Sequence, residues 1–346
     1  MFAAKTRPPR IALMSAVTVW FSAAMPAVAF TLPGARQQAV DSAVSAMIGC
    51  RYDDAFRIAD SLSGADPRDG TGPMLRLFTI GLRDLDFEMT IDSADFERTY
   101  AAVISRTARS DSTGGATSYS LTLTGYAKAT IASFHLRKNR YLGAVQTGLD
   151  ALDLLRRAKQ LDSLNTDPDY FLGLYEFARA DLRKKLWWVL FWFPGNRERG
   201  IQRMEACSRS ARFSPLAARL SLIDMYAQSG RMADARRQLD YMTGRFPDSR
   251  FVLWARARYF ETAKQFGLAA EAYAGLAESY AGQPWGRYNR HITRLDEARM
   301  RESAGDRNAA LELCRDVGAS CVSLPRQQRD EVCGMCQRMQ AGLEKQ

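Results

Sequence analysis

The sequence has few of the residues and motifs on which most enzymes depend. It holds two histidines among 346 residues, and these lie far apart at His135 and His291. No Gly-x-Ser-x-Gly motif occurs, so a nucleophilic serine has no local support. Residues 195–200 have the glycine spacing of a phosphate-binding loop, but Ile201 and Gln202 follow where lysine and a hydroxyl residue are required. These absences favour a protein that is not an enzyme and needs no cofactor.

Long apolar runs are confined to the N terminus. A positively charged start precedes an apolar stretch over residues 11–25, and the small-x-small motif Ala27-Val28-Ala29 follows. This order is typical of a secretory signal peptide. We therefore expect residues 1–29 to be removed, the mature chain to begin at Phe30, and the protein to be exported to the periplasm or cell envelope. The alternative is an uncleaved anchor, which the shortness of the apolar stretch disfavours.

Charge of one sign is not concentrated anywhere in the chain. The 48 Lys and Arg residues exceed the 38 Asp and Glu residues, giving a net charge of +10, but the two signs are interspersed. Binding of nucleic acid needs a concentrated basic patch, so that class of partner is disfavoured. A hydrophobic content of 47% is ample for a folded core.

A repeated helical pattern is the main positive signal. Residues 215–247 show apolar positions on a first helix, a glycine turn, a small residue early in a second helix, two later apolar positions and a closing proline. In order, these residues are Leu222, Tyr226, Gly230, Ala235, Leu239, Met242 and Pro247.

A shift of 34 residues reproduces this pattern. Ala235 maps to Ala269 and Tyr226 to Phe260, while the two later apolar positions become Tyr273 and Leu276. The turn glycine is lost, with Lys264 in its place. Further copies are indicated by the same spacings at Tyr52 and Ala55, at Tyr141 and Ala144, and at Gly305 and Ala310.

The spacing resembles that of the tetratricopeptide (TPR) repeat family. The resemblance implies an all-α fold, an α-solenoid of six to seven stacked helix-turn-helix hairpins. No convincing strand alternation competes with this interpretation. We expect N-terminal hairpins over residues 30–110, a linker over 111–115, and a TPR-like array over 116–346 that ends in a cysteine-rich helical cap.

The same resemblance implies a function. TPR arrays act as scaffolds that hold a protein or peptide on a concave face lined by the first helix of each hairpin. The usual groove positions of the family, carried over to the two best repeats, are Asp224, Gln228, Arg258, Glu261 and Thr262.

Four of the six cysteines cluster near the C terminus, at Cys314, Cys321, Cys333 and Cys336. In an oxidising compartment this favours disulfides, with Cys321 paired to Cys333 and Cys314 to Cys336. Zinc binding and a redox-active C-x-x-C pair are the alternatives, although the spacing matches no common zinc finger. The alternative function is therefore a thiol–disulfide or metal-binding protein.

An aromatic segment, residues 186–195, interrupts the repeat pattern. It contains Trp187, Trp188 and Trp192 and almost no polar residue. It either fills a gap between two helices or forms an interface with a partner protein or a membrane, since tryptophan favours such boundaries. A peripheral membrane-surface protein is therefore a further alternative.

Overall fold

The chain folds into helices that pack as consecutive neighbours. The computed structural model describes residues 32, 34–89, 91–185 and 196–345, which contain fifteen α-helices and no β-strand. The helices are α1 (Gly34–Ile48), α2 (Tyr52–Ala65), α3 (Thr71–Asp86), α4 (Ser93–Gly114), α5 (Ser118–Arg137), α6 (Tyr141–Leu161), α7 (Asp169–Lys185), α8 (Arg197–Ser210), α9 (Pro215–Gln228), α10 (Met232–Arg245), α11 (Arg250–Thr262), α12 (Phe266–Ser279), α13 (Arg287–Ser303), α14 (Arg307–Ser320) and α15 (Arg326–Lys345). The predicted all-α class is confirmed.

Successive helices form seven hairpins, from α1–α2 to α13–α14, and α15 packs on the last of them. This agrees with the predicted six to seven hairpins in an α-solenoid. Local sequence signals begin several of the helices: the side chains of Asp92, Thr117, Asn196, Ser249 and Asp306 accept hydrogen bonds from the first helical turn. None of the described helices is both long and apolar enough to cross a membrane.

Five hairpins share one turn. In each, the residue two positions before the second helix has a positive φ, between 57° and 90°. The next N–H donates to the carbonyl five positions earlier, which satisfies a carbonyl at the end of the first helix. The five residues are Cys50, Asn139, Gly230, Lys264 and Gly305. The weaker repeat copies are thus true hairpins, and Lys264 adopts the left-handed conformation that its glycine counterpart has.

Small residues let the paired helices approach. Ala235 and Ala269 have no exposed surface, as the 34-residue shift predicts. On α7 and α8, Gly173 faces Gly200: a Cβ on either glycine would lie within about 3.0 Å of the other's carbonyl oxygen. Close packing of these two helices therefore depends on the missing side chains.

The predicted linker is mostly helix. Residues 111–114 are the last turn of α4, where the hydroxyl of Ser112 donates to the carbonyl of Arg109 at 2.9 Å. Only Gly115, with a φ of 79°, lies beyond the helix end. The expected linker is therefore shorter than the composition of this segment suggested.

The array coils so that its N-terminal hairpins pack on later ones. The hydroxyl of Ser249, which caps α11, donates to the carbonyl of Ile48 at the end of α1, a contact across 201 positions. Leu75 of α3 belongs to the same buried cluster as Ile223 of α9 and Val252 of α11. The hydrophobic core is therefore shared between distant repeats.

Candidate partner-binding groove

Three of the five predicted groove residues meet in a row of ion pairs. Asp224 of α9 pairs with Arg258 of α11, and Glu261 of α11 pairs with Arg299 of α13 at 2.6 Å. Arg299 also contacts Asp296 at 2.9 Å. Since α9, α11 and α13 are the first helices of consecutive hairpins, the row follows the face that these helices share. We call these five residues the charge ladder.

Burial and ion pairing have opposite effects on the pKa values of Asp224 and Glu261 in the charge ladder. Burial raises the pKa of Asp224, and Arg258 offsets this only in part. Burial also raises the pKa of Glu261, but hydrogen bonds from Arg299 and Tyr273 outweigh it, so the pKa of Glu261 is lowered overall. The Tyr273 hydroxyl donates to Glu261 at 2.8 Å. The charge ladder is thus partly desolvated.

Gln228 and Thr262 lie outside the charge ladder. Both are exposed, and each is the last residue of its helix. The backbone carbonyl of Gln228 accepts a hydrogen bond from Arg197 at 3.0 Å. The structure therefore gathers three predicted groove residues and leaves these two at the helix ends.

A cleft of about 310 Å³ opens beside the charge ladder. Leu220 of α9 and Phe251 and Trp254 of α11 supply its apolar walls. The indole N–H of Trp254 donates to the hydroxyl of Tyr280 at 3.0 Å, which fixes the ring. These wall residues were not predicted, although Phe251, Trp254 and Arg258 lie at helical spacing on one face of α11.

The end of α3 closes one side of the cleft through a buried cluster, the Asp86 node. The carboxylate of Asp86 accepts hydrogen bonds from Arg250 Nε at 2.9 Å, Tyr52 at 2.8 Å and Tyr280 at 3.2 Å. Its backbone carbonyl accepts one from Asn289 at 2.7 Å. The node fastens α3 to α2, α11, α13 and the end of α12. No sequence signal indicated it, because the partners lie 34 to 203 positions from Asp86.

A second, mainly apolar cavity of about 210 Å³ adjoins the cleft, since Leu85 lines both. Among the described residues that line it, Arg137 is the one cation, and it lies 3.9 Å from the buried carboxylate of Asp84. Burial raises the pKa of Asp84 to about 6, because the cation is too distant to offset it fully. Cleft and cavity together offer apolar space next to fixed charges.

The cysteine cluster agrees with the predicted pairing in one of two bridges. Cys321 and Cys333 form a disulfide. The second predicted bridge is not formed: Cys314 and Cys336 are separate thiols, and the Cys336 thiol donates instead to the backbone carbonyl of Cys314 at 2.7 Å. That carbonyl lies in the last two turns of α14, where Cys336 of α15 packs over it.

The free thiols of Cys314 and Cys336 are poorly suited to redox chemistry. Burial raises the pKa of Cys314 to about 11 and also raises the pKa of Cys336. Thiols with such pKa values are protonated at neutral pH and are weak nucleophiles. Within residues 34–89, 91–185 and 196–345, no group of three His, Cys, Asp or Glu residues is placed to hold a metal ion.

Two groups of predicted features lie outside the described residues. One is the N-terminal signal segment. The other is the aromatic segment 186–195, with Trp187, Trp188 and Trp192.

Comparison with known proteins finds similarity in structure alone. No protein-family model and no curated protein matches the chain. A chain of the Cut9–Hcn1 hetero-tetramer of the APC/C matches with a TM-score of 0.54 and 10% identity, over 90% of this chain and 57% of that one. The C-terminal part of a TPR protein from Cytophaga hutchinsonii matches with a TM-score of 0.41 and 15% identity, over 84% and 98%. Yeast Tom70 matches with a TM-score of 0.37 and 9% identity, over 88% and 89%.

These observations define the class of protein. Consecutive hairpins with a shared turn make the chain an α-solenoid. More specifically, the 34-residue spacing and the likeness to Cut9–Hcn1 show that the fold is that of the TPR proteins. The chain spans 57% of the length of the Cut9–Hcn1 chain that it matches.

Proposed function

We propose that the chain is a non-catalytic scaffold that holds a segment of a protein partner in the cleft beside the charge ladder. The observation that carries this proposal is the juxtaposition of Phe251 and Trp254 with the Asp224–Arg258 ion pair in one open cleft. An apolar anchor rimmed by charges is typical of a site for a peptide side chain. In the matched complex Cut9 is assembled with Hcn1, which fits a protein-binding role.

The partner segment should carry at least one large apolar side chain. The cleft walls are aromatic and aliphatic, so they gain most from an apolar group. The neighbouring cavity, reached past Leu85, would accept a second apolar side chain. Arg258 and Asp224 would then orient the polar backbone of the bound segment.

Site-specific photocrosslinking in the native cells tests this function. A photoreactive side chain at Ser221, which lines the cleft, should give a discrete protein adduct. The same group at Gln238, on the second helix of that hairpin, serves as the matched control and should give none. Adding Phe251→Ala should abolish the Ser221 adduct while the helical circular-dichroism signal is kept. Identical adducts from both positions, or none from either, would refute the cleft as the binding site.

Export is part of the same proposal, and the order of charge, apolar stretch and Ala27-Val28-Ala29 supports it. A compartment outside the cytoplasm also suits the disulfide between Cys321 and Cys333. N-terminal sequencing of the protein from the envelope fraction should begin at Phe30. An intact Met1 would exclude cleavage.

A further inference from the structure

The hairpin formed by α5 and α6 carries a concentrated group of exposed apolar side chains. Twelve large hydrophobic residues of the described chain are at least 40% exposed, and six of them lie on this one hairpin. Leu161 is at the far end of α6, whereas the other five lie towards the turn between the two helices. We call these five the α6 ridge; they are Leu136, Tyr141, Leu142, Val145 and Leu149. Leu142 is 89% exposed, so the ridge projects into solvent.

The α6 ridge lies mainly on the outer face of α6, and the inner face of that helix is already buried. Ala151 and Leu155 of α6 are buried, and the helix packs closely on α5 but only slightly on α7. Leu142, Val145 and Leu149 follow a spacing of three and four residues, which places them in one stripe. None of these three residues lines the cleft or belongs to the charge ladder, so the proposed function does not use them.

Positive charge predominates at the end of the ridge nearest the turn between α5 and α6. No acidic residue occurs between Asp111 and Asp150, and the turn before α6 supplies the exposed cations Lys138 and Arg140. Asp150 itself pairs with Lys128 at 2.9 Å. The turn end of the ridge is thus bordered by exposed cations, and acidic residues follow only at its far end, at Asp150 and Asp153.

We propose that the α6 ridge is a docking surface for an anionic lipid bilayer. An amphipathic helix with apolar residues on one face and cations at its border lies in the interface, where the apolar face enters the acyl boundary and the cations meet lipid phosphates. Tyr141 suits the headgroup level, because its ring is apolar and its hydroxyl is polar. The array would then present its cleft to partners at the membrane surface.

Vesicle flotation with the full chain tests the proposal. The probes are vesicles of phosphatidylcholine with 30% phosphatidylglycerol and vesicles of phosphatidylcholine alone. The chain should bind the anionic vesicles and bind neutral vesicles at least about tenfold more weakly. Leu142→Ser with Val145→Ser should lower binding to anionic vesicles roughly tenfold or more, because the apolar stripe is lost.

Two further variants separate the contributions. Lys138→Glu with Arg140→Glu should lower anionic binding by a similar factor and weaken its dependence on salt. Leu161→Ser with Leu164→Ser is the matched control, since Leu161 is 57% exposed at the far end of α6 and Leu164 is 58% exposed three residues beyond it. That control should stay within about twofold of the unmodified chain. All variants share the same N terminus and the same residues 186–195, so a difference between them belongs to the ridge.

Three results would overturn the proposal. One is equal vesicle binding by the ridge variant and the control variant. Another is a large drop in melting temperature of the ridge variant, which would mean that the chain itself covers the ridge. The third is a change of oligomeric mass in the ridge variant alone, which would assign the surface to a second copy of the chain.

Discussion

Asp84 and Asp86 lie two positions apart near the end of α3, and their surroundings differ sharply. Asp86 has hydrogen bonds from Arg250 and two tyrosines, so its charge is compensated within the core. Asp84 accepts one backbone hydrogen bond, from Ile91, and its second oxygen has no hydrogen-bond partner among the residues that the structure describes. Two buried carboxylates on one helix thus differ in how fully hydrogen bonds compensate their charge.

The Asp84 environment makes stability depend on pH. Its pKa is raised from 3.8 to about 6 in the folded state, so the folded chain holds the proton more tightly than the unfolded chain does. The resulting stabilisation is fully present below about pH 4 and is lost as the pH rises through about 6. Asp84→Asn cannot titrate, so its melting temperature relative to the unmodified chain should rise between pH 4.5 and pH 7.5.

Thermal unfolding at both pH values measures this difference. Asp153→Asn, at an exposed position on α6, is the control and should show no such trend. A difference for Asp84→Asn that stays constant with pH would show that Asp84 titrates normally in the folded chain.

At the scale of the helical element, the sequence predicts the second helices of the hairpins but only some of the turns that precede them. The spacing around Ala235 and Ala269 predicted the second helices, because a small residue is needed where the paired helices approach most closely. The turn itself was recognised only at Gly230 and Gly305, since glycine is the usual left-handed residue. Cys50 and Lys264 adopt the same conformation, and neither residue type announces it.

Lys264 should therefore store backbone strain that glycine would release. A left-handed residue with a Cβ costs roughly 1–2 kcal/mol, partly offset by the greater freedom of glycine in the unfolded chain. Lys264→Gly should thus raise the free energy of unfolding by about 0.5–1 kcal/mol. Lys264→Ala keeps the Cβ and should change little. Urea unfolding of the three chains checks this, and equal gains in both variants would assign the effect to the lost side chain.

At the scale of the whole molecule, the packing of the N-terminal hairpins on later hairpins could not be predicted from the sequence. Repeat periodicity reports contacts between neighbouring hairpins, whereas the Asp86 node and the Ser249–Ile48 contact join distant ones. The groove was predicted only in part for the same reason. Asp224, Arg258 and Glu261 follow from the repeat, but the contribution of α3 to the cleft does not.

The packing of the N-terminal hairpins on later hairpins, through the Asp86 node, should be a major source of stability. Removing one partner of a buried ion pair leaves the other charge uncompensated and typically costs about 3–5 kcal/mol, so Asp86→Ala should lose about that much. Asp224→Ala breaks a more exposed pair and should cost at most about 1 kcal/mol. Urea unfolding followed by circular dichroism compares the two. Similar small losses in both variants would show that the Asp86 node is not what holds the N-terminal hairpins in place.

The contact between Ser249 and Ile48 also has a consequence for the order of folding. Most contacts of a repeat array join neighbouring hairpins and can form independently of the rest of the chain. The carbonyl of Ile48 accepts from a hydroxyl that lies 201 positions later in the chain. Contacts of such sequence separation slow folding, because the entropy of the intervening chain is lost before the contact contributes any favourable free energy. The first hairpins therefore fold before their final neighbours are in place, and their docking on the later hairpins should be the last and slowest kinetic phase.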